Sequence, residues 1–223
     1  MTGTAAGGRG RGAHERAVLR ALLDHAPRTY AAEAGIRLRD TPAPLYQTLV
    51  LAVLLSARIR ADIAVAAARA LFDAGMRTPK AMADATWQQR VDALGEGGYR
   101  RYDERTATLL GDGAHLVRER YGGDLRRLRR EHDPRAALMD VPGIGPTGAD
   151  IYLRAVQGVW PEFAPYLDRK ALDGARRLGL PPSPEKLGGL VARDDLPLLA
   201  DGLVHAALDP PLAEDVLATA DAA

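Results

Sequence analysis

Apolar residues recur along this chain at intervals of three and four, the spacing of one helix face. The first such stripe is Val18, Leu19, Leu22 and Leu23, over His14 to Ala26, and it stops at Pro27. Pro42 and Pro44 set the start of a strongly apolar helix, Leu45 to about Ala57. Over Asp62 to Ala74, Ile63, Ala66, Ala67, Ala70 and Leu71 share a face, with Gly75 placed to end it. Thr78-Pro79 and Thr86-Trp87 read as openings of two shorter helices, the second running through Leu94. Thr106 to Tyr121 predicts a longer helix closed by Gly122-Gly123. Two further runs, Pro134 to Met139 and Thr147 to Gln157, flank a glycine-rich turn, and Asp168 to Leu178 follows before Gly179 and Pro181-Pro182. Two or three short helices complete the chain. Residues 1–13, rich in glycine and without periodicity, predict a disordered tail. No segment alternates with period two and no internal repeat is evident, so the predicted class is all-α.

Composition bounds what such a chain can be. At 223 residues and 47% hydrophobic it can bury a core, in one domain or two small lobes. The longest apolar run, Leu49 to Leu55, falls far short of the roughly 20 residues a membrane span needs. The start, Met1 to Gly12, lacks the apolar stretch of a signal peptide. The expectation is a soluble cytoplasmic protein, monomeric and without a membrane partner. With no cysteine, disulfides, thiolate zinc sites and thiol nucleophiles are excluded. His14, His25, His115, His132 and His205 are scattered without ligand spacing. The net charge of +1 hides an asymmetry: nine arginines against five acids from Arg100 to Arg130, then seven acids and no Lys or Arg from Asp194 onward. A basic middle suits a polyanion, although arginine-rich helix faces are also commonly just solvated.

The turn between the paired runs carries the most chemistry. In Val141-Pro142-Gly143-Ile144-Gly145-Pro146, Gly143 and Gly145 permit positive φ and close backbone approach, and Pro146 suits a first helical position. The product is a helix–hairpin–helix whose second helix directs bare backbone N–H groups outward, a ready site for phosphate. On this turn alone, a plain helix–helix connector remains an equal reading. Asp168, just before a helical run, is a natural N-cap, and an aspartate there needs no further role.

Taken in order, four segments resemble a known family: Leu54-Leu55-Ser56-Ala57-Arg58, Gly98-Tyr99 with Arg101 and Ala107 after it, the Val-Pro-Gly-Ile-Gly turn, and Tyr166-Leu167-Asp168. The chain is similar over roughly residues 40–180 to the helix–hairpin–helix (HhH-GPD) DNA glycosylases, in particular the endonuclease III and adenine-mismatch glycosylase branch. The resemblance implies two helical lobes enclosing a DNA-binding cleft, one of residues 14–40 plus 165–223, the other of 41–164 with the hairpin. It implies base-excision repair on double-stranded DNA containing a damaged or mismatched base, with the protein on the nucleoid when bound. Asp168 matches the catalytic carboxylate. Gly143, Ile144, Gly145, Pro146, Thr147 and Gly148 match the DNA-binding hairpin. The carbonyls of Met139, Val141 and Ile144 match those that hold a monovalent cation, Na+ or K+. Arg58 stands where relatives carry the glutamine that fills the gap of an extruded base, with Arg60 as the near alternative. For base recognition the chain offers Tyr30, Tyr46, Tyr99, Tyr102, Tyr152, Tyr166, Trp87 and Trp160, most of which an all-α protein would place in its core. Tyr166, beside Asp168, and Tyr46 are the candidates for stacking on the base.

Two departures shape the expected activity. Relatives that also cleave the strand carry a lysine where this chain has Thr147, which resembles the serine of adenine-mismatch glycosylases. The chain's three lysines are Lys80, Lys170 and Lys186; Lys170 lies near Asp168 but about 200° around the helix from it. The absence of cysteine also excludes the four-cysteine iron–sulfur cluster of many members. The expectation is a monofunctional glycosylase without a cofactor. The competing readings are a DNA-binding or damage-sensing protein without chemistry, and a glycosylase with lyase activity through Lys170.

Overall fold

A computed structural model describes residues 5–222 of the chain, with side chains from Gly12 onward. The chain forms two compact units, Tyr30–Val159 and a second made of Met1–Thr29 with Trp160–Ala223. Among the described residues every regular element is helical, as the periodicity predicts.

The first unit is built around α3 (Pro42–Leu55), which Pro42 and Pro44 open, since proline in a first turn removes an N–H that would have no partner. Nearly every residue from Leu45 to Leu54 is buried, and a helix that is apolar all round belongs inside. Thr48 meets this demand by donating its hydroxyl to the Pro44 carbonyl at 2.9 Å. Around it pack α4 (Ala61–Asp73), α7 (Asp103–Tyr121) and α9 (Pro146–Val156). α5 (Pro79–Asp84) and α6 (Trp87–Glu96) lie against α7, α6 entered through a reciprocal Thr86–Gln89 capping box. Buried Arg90 ties these helices together, donating to the carbonyls of Met82, Ala85 and Ala107 at 2.7–2.9 Å. A short α2 (Tyr30–Glu33) precedes them, too brief to carry a periodic signal.

In the second unit, α1 (Ala5–His25) packs on α12 (Leu196–Leu208) and α13 (Pro210–Asp221), while α10 (Arg169–Arg177) packs on α12. α11 (Pro184–Gly188) lies in the connection. α1 corrects the expected tail: of residues 1–13, the first four lie outside the described residues and the rest are helical. Helix growth costs little once a nucleus exists, and Val18, Leu19 and Leu22, all buried, anchor one. The unit boundaries also fall elsewhere than 14–40 and 165. Residues 30–40 belong with the first unit, where Arg129 pairs with Asp40 at 3.1 Å.

Close approach is concentrated at two glycines. A Cβ on Gly97, at the end of α6, would overlap the backbone of Ala67 in α4; one on Gly174, in α10, would overlap the Leu203 carbonyl oxygen in α12. Backbone cannot swing aside as a side chain can. Gly97→Ala and Gly174→Ala should each destabilise the fold by about 1–3 kcal/mol or more, the scale of overpacking. Chemical-denaturation midpoints measure this, and an unchanged midpoint would show that the helices separate without cost.

Candidate nucleic-acid interface

The hairpin is a short α8 (Pro134–Met139), a tight turn, and α9. Asp133 caps α8 by accepting from the Ala136 N–H at 3.0 Å. The turn is Val141-Pro142-Gly143-Ile144: the Ile144 N–H donates to the Val141 carbonyl at 2.9 Å, and Gly143 has φ +89°. Proline second and a left-handed glycine third is the chemistry of a type II turn. Gly143 is also needed for space, because a Cβ would lie 3.1 Å from Val53 Cγ1. Gly145 meets only one part of its expectation. Its φ of −95° is available to any residue, and a Cβ there would meet nothing within 4 Å. What Gly145 provides is an unobstructed approach to the backbone.

That backbone is the start of α9. Gly145, Pro146 and Thr147 are exposed, while Val141, Ile144 and Gly148 are buried and hold the turn to the unit. A Cβ on Gly148 would come within 3.6 Å of Ser56 Cβ, so α9 begins against the end of α3. The first helical bond runs from the Ala149 N–H to the Gly145 carbonyl at 3.0 Å. Pro146 has no N–H, and the amides of Thr147 and Gly148 precede that bond, so they point out of the helix unspent. Arg135 clamps the two helices through Asp150 at 2.9 Å, and Arg120 of α7 reaches Asp140 at 2.6 Å. Of the carbonyls expected to hold a cation, that of Val141 already accepts from Ile144 and keeps a second lone pair.

The arginines of 100–130 are not one patch. Arg118, Arg120, Arg126 and Arg129 are paired with Asp84, Asp140, Asp124 and Asp40. The Arg126 hydrogen bonds also hold the Asp124 carboxyl below its ordinary range. Arg100, Arg101 and Arg105, all exposed, form no ion pair among the described residues. Arg58, also exposed, is likewise without an acid partner, whereas Arg60 forks onto Asp62 at 2.6 and 3.0 Å. Of the two gap-filling candidates, Arg58 is therefore the available one. It lines a cavity of about 260 Å³ together with Gly143, Ser56, Tyr99, Tyr102 and Arg105. The fold thus joins the hairpin, the end of α3 and the start of α7. Tyr102 and Arg105 were not legible as neighbours of Arg58; Tyr102 stood among the aromatics open to base recognition, and Arg105 in the arginine-rich run.

In the second unit, Asp168 is the N-cap of α10, with Oδ1 accepting from the Ala171 N–H at 2.9 Å. It is partly exposed, as is Tyr166, and a cis Ala164–Pro165 bond precedes both. Lys170 is exposed on α10 and lies 3.8 Å from Asp173. Tyr46 is not a base-stacking residue. It is 2% exposed inside α3's packing, and burial pushes its hydroxyl pKa well up. A ring enclosed in core has no face to offer. Among the described residues, no helix is long and apolar enough to cross a membrane, and no group of acidic and histidine side chains gathers as a metal site.

No protein-family model matches the chain, and no curated protein matches its sequence. Solved structures do match. One is a trapped endonuclease III–DNA covalent intermediate, an estranged-adenine complex, with a TM-score of 0.52 and 17% identity. Another is a non-covalent endonuclease III–DNA complex, with a TM-score of 0.53 and 18% identity. In each case 84% of this chain and 81% of the other are covered. The chain shares the all-α fold of endonuclease III.

Proposed function

We propose that this chain is a monofunctional DNA glycosylase, binding double-stranded DNA as a monomer and cleaving the N-glycosidic bond of a damaged or mismatched base. The observation that carries the reading is the start of α9: a rigid turn leading into unspent amides, that of exposed Thr147 first, beside an unpaired arginine, on a fold shared with endonuclease III structures in complex with DNA. Amides at a helix start take a phosphate oxygen without any charged side chain, and Arg58, whose guanidinium can stack or contact phosphate, would act on the strand where a base is extruded. The carbonyls of Met139, Val141 and Ile144 would hold a Na+ or K+ ion, whose positive charge would favour a phosphate near the turn.

The chemistry falls to Asp168. As the C1′–N bond breaks, its electron pair leaves with the base and the sugar becomes oxocarbenium-like. A fixed carboxylate stabilises that cation. A water oxygen then bonds to C1′, and Asp168 can accept the proton that the water gives up. Thr147 stands where a strand-cleaving relative would carry its amine, so no Schiff base forms there. Lys170, exposed and beside Asp173, is not offered as a nucleophile. With no cysteine in the chain, a cysteine-ligated iron–sulfur cluster has no ligands here. Thr147 also favours a second reading, in which the protein binds DNA and performs no excision.

Affinity for an undamaged duplex, measured across salt concentrations, tests the binding half. We expect log K to fall linearly with log salt, since amides and arginines displace condensed counterions. No binding even at low salt would remove both readings. Borohydride treatment on abasic-site DNA should leave no covalent adduct, and an adduct lost in Lys170→Ala would restore the lyase.

A further inference from the structure

We propose that the cavity behind the hairpin turn binds one unpaired nucleotide, with its base against Tyr102 and its phosphate between Arg58 and Arg105. This deepens the DNA-binding reading and rests on it for the source of that nucleotide. At about 260 Å³ the cavity lies just under the roughly 300–1,000 Å³ of drug-sized pockets, a size suited to a single base. Its walls divide by chemistry. Val53, Ala57 and Leu109 make an apolar side, and Tyr99, 1% exposed, is seated beneath. Tyr102 supplies an aromatic face, and the Arg101 guanidinium, which does not line the cavity, backs that ring at 5.3 Å from its centroid. Arg58 and Arg105 bring two exposed guanidinium forks, neither with an acid partner among the described residues, and no carboxylate lines the cavity there. An aromatic surface plus two uncompensated forks fits a planar group joined to an anion, which is a nucleotide.

The hydroxyls predict how selective the site is. Ser56 donates its only proton to the Val53 carbonyl at 2.8 Å, and Thr106 donates its own to the Tyr99 hydroxyl at 3.4 Å. Neither has a donor left for a base edge, whereas the Tyr99 and Tyr102 hydroxyls, which also line the cavity, keep theirs. Stacking, which every base offers, then supplies the larger part of the affinity, and reading of a base edge falls to the two tyrosine hydroxyls.

Three duplexes of one sequence test this: fully paired, with a one-nucleotide bulge, and with that bulge made abasic. Wild type should bind the bulged duplex about tenfold or more tightly than the paired one, the scale of one stacked base, and the abasic bulge should lose that excess. In Tyr102→Ala and Arg105→Gln the ratio of bulged to paired affinity should fall to about one. A wild-type ratio of one, or a ratio unchanged in both variants, overturns the proposal. Deoxynucleoside monophosphate at millimolar concentration separates the sources. If it displaces the bulge excess, the cavity takes free nucleotides as well; if it does not, the cavity needs the strand. If no duplex binds at all, the DNA reading fails. In that case direct titration with the monophosphate decides: binding that Arg105→Gln removes upholds the nucleotide site, and no binding overturns it.

Discussion

Asp168→Asn should lower single-turnover release of free base by about two or more orders of magnitude, the scale of losing one preorganised electrostatic group. The substitution separates two roles that coincide in one side chain. Asp168 Oδ1 accepts the Ala171 N–H at 2.9 Å and thereby caps α10. Asparagine keeps an oxygen in the same place and is itself a strong N-cap, so the denaturation midpoint should change little. What it removes is the full negative charge that the sugar cation requires. Duplex affinity should hold or rise slightly, because a charge repelling the phosphate backbone has gone. A rate equal to wild type would leave Asp168 as a cap alone.

Gly145→Asp should abolish duplex binding while the protein stays folded. The backbone at Gly145 is extended, and a Cβ there meets nothing within 4 Å, so an aspartate enters without strain or clash. Its carboxylate would sit before the open amides of Thr147 and Gly148 and occupy them as an N-cap does. It would also repel the phosphate that those amides are proposed to hold. Gly143 is the contrasting position: φ +89° and Val53 close by make any side chain there a disruption of the turn itself. Circular dichroism and a denaturation midpoint near wild type would establish that the Gly145→Asp protein is folded. Retained affinity in that folded protein would reduce the hairpin to a connector.

The hairpin was legible because its signals are local. Pro134 to Met139 is helical as its apolar spacing predicts, Pro146 opens α9, and Gly143 takes the positive φ that a Pro-Gly turn requires. Gly145 was read only in part, for the same local reason: sequence shows a glycine but not whether its freedom serves φ or access, and here it serves access alone. Asp168 was legible as a cap, since one backbone N–H three residues on decides it. Tyr46 sits in the apolar run of α3, which already pointed inside, and was read as available from its residue type alone. Properties that depend on distant partners were not legible. The arginine-rich run divides into paired and unpaired members only because Asp40, Asp84 and Asp140 arrive from other elements. Arg58, Tyr102 and Arg105 share a cavity because α3 ends where α7 begins, a fact of packing rather than of pattern.

On the proposed function a base leaves DNA on this protein and Asp168 drives its departure. The direct measurement is free base released under single-turnover conditions from a panel of duplexes, each carrying one damaged or mismatched base. Release is expected from at least one duplex, with the abasic strand left uncut and that release lost in Asp168→Asn. Absence of free base from every duplex that the protein binds, or equal release by the Asp168→Asn protein, would contradict it.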